Sequence, residues 1–320
     1  LHTDYIDLLF VHGIRGIDEM DSDLESWSQA MKKAGKLRLF GFSTHSNMED
    51  CLEGAARLPW IYGIMFTYNY RLMHELRMKA AVEACYQAGI GLTAMKTQGG
   101  GPVKSDSESE VEMAGRFMQK GFTDHQAKLM AVWNDKRIAS ICSQMPNLTI
   151  MATNAAAAVD QTRLSQSDRA LLARYAEETC SDYCAGCGRL CSEVLSNKVP
   201  INDVMRCLMY VHSYQDLMLA RATFESLPVQ TRALLAQLDF SAAERSCPRN
   251  LPIGRMMQEA ANLLACSSTA TFCHRRKIYF TENTAALIRC HKSDTNGKSC
   301  PSRERTGTAP IRALVNNTSS

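Results

Sequence analysis

Five times within about the first 160 residues, a short and nearly unbroken apolar run is followed by a stretch with helical spacing, and no tight turn joins one run to the next. That alternation restricts the fold more than any other feature, because strands separated by helices pair in parallel and are covered on both faces. The runs are Tyr5 to His12, Leu37 to Ser43, Gly63 to Asn69, Ile90 to Lys96, and Ile138 to Cys142. Ser22-Asp23-Leu24-Glu25 and Ser46-Asn47-Met48-Glu49 read as capping boxes that open the first two helices, and Gly35 and Gly89 read as helix stops. A helix is expected from about Glu75 to Ala88, a helical pattern runs on through Trp133, and another helix spans about Leu148 to Val159. Such a series predicts an α/β fold, either a doubly wound sheet or part of an eight-stranded barrel.

Near Leu164 the period changes, and from there to Ala265 the residues read as helices and loops around a group of cysteines. From Cys266 onward Ser, Thr, Asn and Arg dominate and no apolar period survives, so residues 266–320 read as a disordered or non-native tail. The expected organisation is therefore 1–163, 164–265 and 266–320. The chain opens inside a strand-like run at Leu1, so part of the protein is expected to precede it.

The composition, 45% hydrophobic and 22% charged, is that of an ordinary soluble globular protein. The net charge of +3 is dispersed, which gives no support to a nucleic-acid partner. No apolar stretch reaches the roughly 20 residues of a membrane helix. The 13 cysteines are too clustered for a disulfide framework and point to metal ligation in a reducing compartment. Cys51, Cys85 and Cys142 lie apart from the cluster and read as buried apolar residues.

Leu1 to His12 resembles the aldo-keto reductase segment in which a strand ends at the catalytic histidine. Further signposts of that family come in order: Gly35-Lys36 through Gly41-Phe42-Ser43, Tyr68-Asn69, and Met145 to Asn154. The resemblance covers about residues 1 to 160 and implies roughly strands four to eight of a (β/α)8 TIM barrel, NADP or NAD as cofactor, and a small carbonyl or alcohol substrate. It gives His12 the task of orienting the substrate carbonyl while hydride arrives from a nicotinamide. It places Ser43 and Thr44 at the nicotinamide amide, Met95 and Lys96 where an aromatic usually stacks, and Asn154 on the adenine side. Ile150 stands where an arginine would grip a 2′-phosphate, and Met65 where a glutamine is often found. The family's tyrosine, lysine and aspartate precede the histidine-bearing strand, so these residues alone are expected to be inactive in carbonyl reduction and poorly soluble.

Cys184-Ala185-Gly186-Cys187-Gly188-Arg189-Leu190-Cys191 and the remote Cys247-Pro248 supply three close thiols and a fourth from another segment, a set that suits a cubane cluster. Zinc accepts four thiolates equally well, and Cys180 and Cys207 lie close by. From about Thr179 to Leu264 the sequence resembles the iron–sulfur domain appended to one branch of the aldo-keto reductases, including Val199 to Arg206 and Leu251-Pro252-Ile253. That resemblance implies Cys184, Cys187, Cys191 and Cys247 as ligands of a 4Fe-4S cluster, serving either as an electron relay to a redox partner or as a structural staple. Met256, Met257, Leu263 and Met209-Tyr210 read as helix packing. The implied location is cytoplasmic, with any twin-arginine signal lying upstream. The competing reading is a non-catalytic iron–sulfur or zinc protein on a degenerate barrel.

Overall fold

A computed structural model describes residues 2–100, 108–145, 147–160, 163–179 and 183–265; Cys180, Gly101 and the 266–320 tail lie outside the described residues. Strands β1 (Ile6–Ile14), β2 (Leu37–Thr44), β3 (Gly63–Thr67), β4 (Gly91–Met95) and β5 (Ile138–Cys142) alternate with helices. These are α1 (Ser22–Lys33), α2 (Met48–Ala55), α3 (Leu76–Gln87), the pair α4 (Glu108–Gln119) and α5 (Asp124–Trp133), and α6 (Leu148–Val159).

The five strands form one sheet in the order β1-β2-β3-β4-β5, and every neighbouring pair is parallel. A doubly wound sheet reverses its strand order at a switch point, and this sheet does not. Sequential order with right-handed crossovers keeps the helices on one side, as in the wall of a barrel. Phe40, Phe42, Ile64, Phe66 and Leu92 fill the main core with Leu52 and Val82 from the helices. Gly41 is required at its place, because a Cβ there would meet the Gly63 carbonyl oxygen at 1.9 Å.

The helical stretch expected to run through Trp133 is two helices, because Gly121 turns at φ +85° and Thr123 then caps α5. The first helix is capped by Asp21, whose side chain accepts from the Asp23 and Leu24 amides, rather than by Ser22. The second expected capping box does not form: Asn47, in the left-handed region at φ 47°, stands at the N-cap of α2 without a side-chain cap bond. Cys51 and Cys85 are buried as expected, but Cys142 is exposed, because β5 forms an edge of the sheet.

Among the described residues, seven helices follow: α7 (Gln166–Glu178), α8 (Gly188–Glu193), α9 (Ile201–His212), α10 (Leu217–Glu225), α11 (Val229–Leu234), α12 (Ser241–Ser246) and α13 (Ile253–Leu264). Helix α7 packs with α4 and α5 through Phe117, Leu129, Leu171 and Tyr175. The fully buried Asp168 carboxylate joins them by taking bonds from Arg116 and Lys120. Helices α8 to α13 share a separate core of Val204, Leu208, Phe224, Phe240 and Met257. The described residues between 2 and 265 form one compact unit. Among the described residues, no helix is long and apolar enough to cross a membrane.

Candidate functional site

Each parallel strand delivers its last residues to one end of the sheet, where barrels of this kind place their chemistry. His12 lies near the end of β1 and is exposed. Ser43 lies one residue before the end of β2, its hydroxyl accepting from the Gly13 amide at 3.0 Å. The Thr44 hydroxyl is fully buried, 2.8 Å from both the Ile14 and the Ser46 carbonyl oxygens. His45 comes next, its Nδ1 3.2 Å from Thr67 Oγ1 at the end of β3. Burial, followed by the positive charges of Lys96 and Arg206 and by His12, brings the His45 pKa down to about 3, so this imidazole is neutral at pH 7.

Lys96 follows β4 in the left-handed region at φ 54°, a conformation that costs a residue with a Cβ about 1 kcal/mol or more. Its ammonium lies 5.6 Å from the centre of the Tyr210 ring. Burial and then Arg206 lower its pKa to about 7.

Two cavities meet at Lys96. The first, of about 380 Å³, lies between the strand ends and the helical region, with His45, Thr67 and Lys96 on one side and Cys184, Arg206 and Met209 on the other. The second, of about 570 Å³, starts at Met95 and Lys96 and runs past His125 and Ser143 to Asn154. Asn154 donates to Ser143 Oγ at 3.1 Å. The structure therefore brings Met95, Lys96 and Asn154 into one cleft, whereas His12, Ser43 and Thr44 line neither cavity. Met209 and Met256, expected to serve only as packing, are part of the first cavity's wall, and Leu263 is exposed.

The cysteine loop is fastened onto this end of the sheet. The Gly186 carbonyl accepts from the Asn47 amide at 2.9 Å, and the Asn47 side chain accepts from the Arg189 amide at 2.9 Å while donating to the Arg15 carbonyl at 2.7 Å. Ser46, expected to cap a helix, instead accepts from the Asn202 amide nitrogen at 2.6 Å. Gly186 has φ +85°, and a Cβ there would come within 2.2 Å of the His45 carbonyl oxygen, so only glycine fits.

With the loop held this way, Cys184, Cys187, Cys191 and Cys247 all line one small cavity, closed by apolar neighbours such as Ile201, Leu251 and Ile253 and by Arg249. Burial, and then the neighbouring thiols, push Cys184 and Cys187 up to about 12 and Cys191 up to about 11. Cys207 is not in this ring: it is buried in the helical core and bonds to the Asp203 carbonyl. Among the described residues, no three His, Cys, Asp or Glu side chains converge closely enough to hold one metal ion. Cys184, Ala185 and Met205 line both the cysteine cavity and the larger cavity at the strand ends. Sequence reasoning passed over His45, Arg206, Arg255 and His212, which come together only through tertiary folding.

No protein-family model matches the sequence, and no curated protein is significantly similar to it. Among solved structures, an aldo-keto reductase from Bacillus halodurans in its apo form is similar, with 18% identity over 54% of this chain and 62% of that one, and a TM-score of 0.42. An aldo/keto reductase from Klebsiella pneumoniae in complex with NADP and acetate is similar at 22% identity, over 54% of this chain and 59% of that one, with a TM-score of 0.42. A thermostable aldo-keto reductase in complex with the inhibitor epalrestat has 19% identity over 54% and 60%, also with a TM-score of 0.42. The chain spans less than two thirds of the length of each of these proteins.

Proposed function

We propose that this chain is part of a nicotinamide-dependent oxidoreductase of the aldo-keto reductase type, with an iron–sulfur cluster held by Cys184, Cys187, Cys191 and Cys247. One observation carries the proposal: three thiols from the 184–191 segment and a fourth from Cys247 line a single apolar cavity that shares a wall with the cavity at the strand ends. The donor set fits a cluster. Buried thiols with raised pKa values stay protonated unless a positive charge replaces the proton, and a metal centre supplies that charge. Arg249, beside the cavity, offsets the negative charge of a thiolate-bound cluster.

The cleft from Lys96 to Asn154 is the place for NADP or NAD, which when bound supplies a hydride. Lys96 then stands between the dinucleotide and the cavity for a carbonyl or alcohol substrate; the family resemblance assigns the substrate oxygen to His12, although His12 lines neither cavity. A cluster sharing a wall with that cavity is placed to exchange electrons with a redox partner. The tyrosine, lysine and aspartate that the family resemblance implies are not matched among these residues, so the expected outcome for the 320-residue chain alone is no carbonyl reduction. A cluster-binding protein without reductase chemistry is the second reading. It is favoured by Thr44, whose hydroxyl is already engaged with backbone carbonyls.

Anaerobic reconstitution with iron and sulfide tests the proposal. The expected product is brown, absorbs near 400 nm and contains about four irons per chain; Cys247→Ala abolishes the absorption. A colourless protein with one zinc overturns the cluster. Fluorescence titration with NADPH and NADH separates the two readings, since the cluster-only protein binds neither.

A further inference from the structure

The first cavity, of about 380 Å³, gathers cationic side chains. Lys96 enters from the end of β4, Arg206 from α9 and Arg255 from α13. His45, neutral at pH 7, and His212 line the same wall. The acid in its wall is Glu259, already paired with His212 at 2.7 Å. Arg206 reaches only a distant carboxylate, that of Asp203 at 3.7 Å, and Asp203 is engaged with Arg15 at 2.6 Å. Among the described residues, the Lys96 ammonium meets an aromatic face and no carboxylate.

Setting the half-buried Lys96 beside Arg206 at the edge of a cavity is unfavourable unless an anion joins them, because like charges repel where water is scarce, and the exposed Arg255 lines the same cavity. The burial-driven fall in the Lys96 and His45 pKa values, deepened by Arg206, reports the same repulsion. Lys96 is also held in a strained backbone conformation at the cavity's edge, and strain of this kind gathers where a side chain must be aimed.

We propose that this cavity binds a small carboxylate, held by Lys96, Arg206 and Arg255, and that the substrate is a carbonyl compound bearing an acid group. Two guanidinium groups offer forked donors that match a carboxylate, and Lys96 adds a point charge from the strand side. A volume of about 380 Å³ admits a small keto acid beside a nicotinamide ring. The carbonyl half of this inference rests on the oxidoreductase reading; the anion site does not.

Isothermal titration of the full chain with pyruvate, with acetone as its neutral counterpart and inorganic phosphate as a second anion, tests the inference. Pyruvate is expected to bind and acetone is not. Arg255→Ala and Lys96→Met are each expected to weaken pyruvate roughly tenfold or more with an unchanged circular dichroism spectrum. Arg255 is exposed, so its loss leaves the fold intact. Equal binding of phosphate and pyruvate overturns the carboxylate assignment. Absence of pyruvate binding, or variants that bind it as the unaltered chain does, overturns the site. Iron content of the same sample is measured separately: a chain that binds pyruvate without iron keeps this inference and loses the cluster, and the reverse result does the opposite.

Discussion

The strand ends and the cysteine cavity lie wall to wall, yet they are built on opposite principles. At the strand ends the polar groups are largely satisfied by protein, with Ser43 and Thr44 bonded to backbone and His45 to Thr67. Beside the first cavity, the Lys96 ammonium meets an aromatic face and, among the described residues, no carboxylate. In the cysteine cavity the neighbours are largely apolar, and burial raises the pKa of Cys184, Cys187 and Cys191. The first region is a finished polar scaffold awaiting an anion. The second is an unfinished one that a positive centre completes. The contrast teaches that a shared wall, formed by Cys184, Ala185 and Met205, separates a demand for negative charge from a demand for positive charge.

The comparison breaks most readily at the scaffold itself. Asp168 is fully buried between Arg116 and Lys120 and also accepts from Ser165 at the start of α7. Burial raises its pKa, but Lys120, Ser165 and Arg116 together outweigh burial and hold the carboxyl well below the ordinary range. Asp168→Asn should cost roughly 3 kcal/mol in urea unfolding, whether or not metal is bound. Because the folded pKa is depressed, the stability from this carboxylate is present above about pH 4 and is lost as pH falls. A variant as stable as the unaltered chain contradicts this picture of the scaffold.

A smaller change separates the two regions. Gly186→Ala places a methyl group against the His45 carbonyl and forces a left-handed residue with a Cβ. The expected loss is about 1–3 kcal/mol, with cluster occupancy falling while NADPH binding at the far end of the cleft is kept. Equal loss of both ligands shows that the two regions do not separate.

The smallest effect is one of pH. Lys96 faces Arg206, Tyr210 and His212 of α9, Arg255 and Glu259 of α13, and His45 after β2. Its free pKa is lowered to about 7, and a bound carboxylate raises it. Pyruvate affinity should therefore be constant below pH 7 and weaken, by at most about tenfold per unit, as pH rises above it. Titrations at pH 6 and pH 8 check the sign; equal affinity at both removes Lys96 from the site.

The strands were legible because a strand covered on both faces must be apolar throughout, and Ile138–Cys142 and Leu148–Val159 stand where the pattern puts them. The break between α4 and α5 was hidden, since the apolar period passes across Gly121. Ser46 and Asn47 misled for a physical reason: a hydroxyl and an amide suited to capping are equally suited to clamping a loop, and the loop lies 140 residues away in the chain. Cys142 looked buried because period alone does not reveal which strand is an edge. The four cysteines were visible by spacing, as loop ligands are. The cation cavity was not, because Lys96, Arg206 and Arg255 belong to three elements far apart in sequence.

X-ray absorption at the iron and zinc edges, on full chain purified without oxygen, tests the central claim most directly. The account predicts an iron edge with a sulfur shell and a second shell from neighbouring iron, both lost in Cys247→Ala. A zinc edge with a single shell of sulfur, or a protein with neither metal whose four thiols all react with a thiol reagent once unfolded, would contradict it.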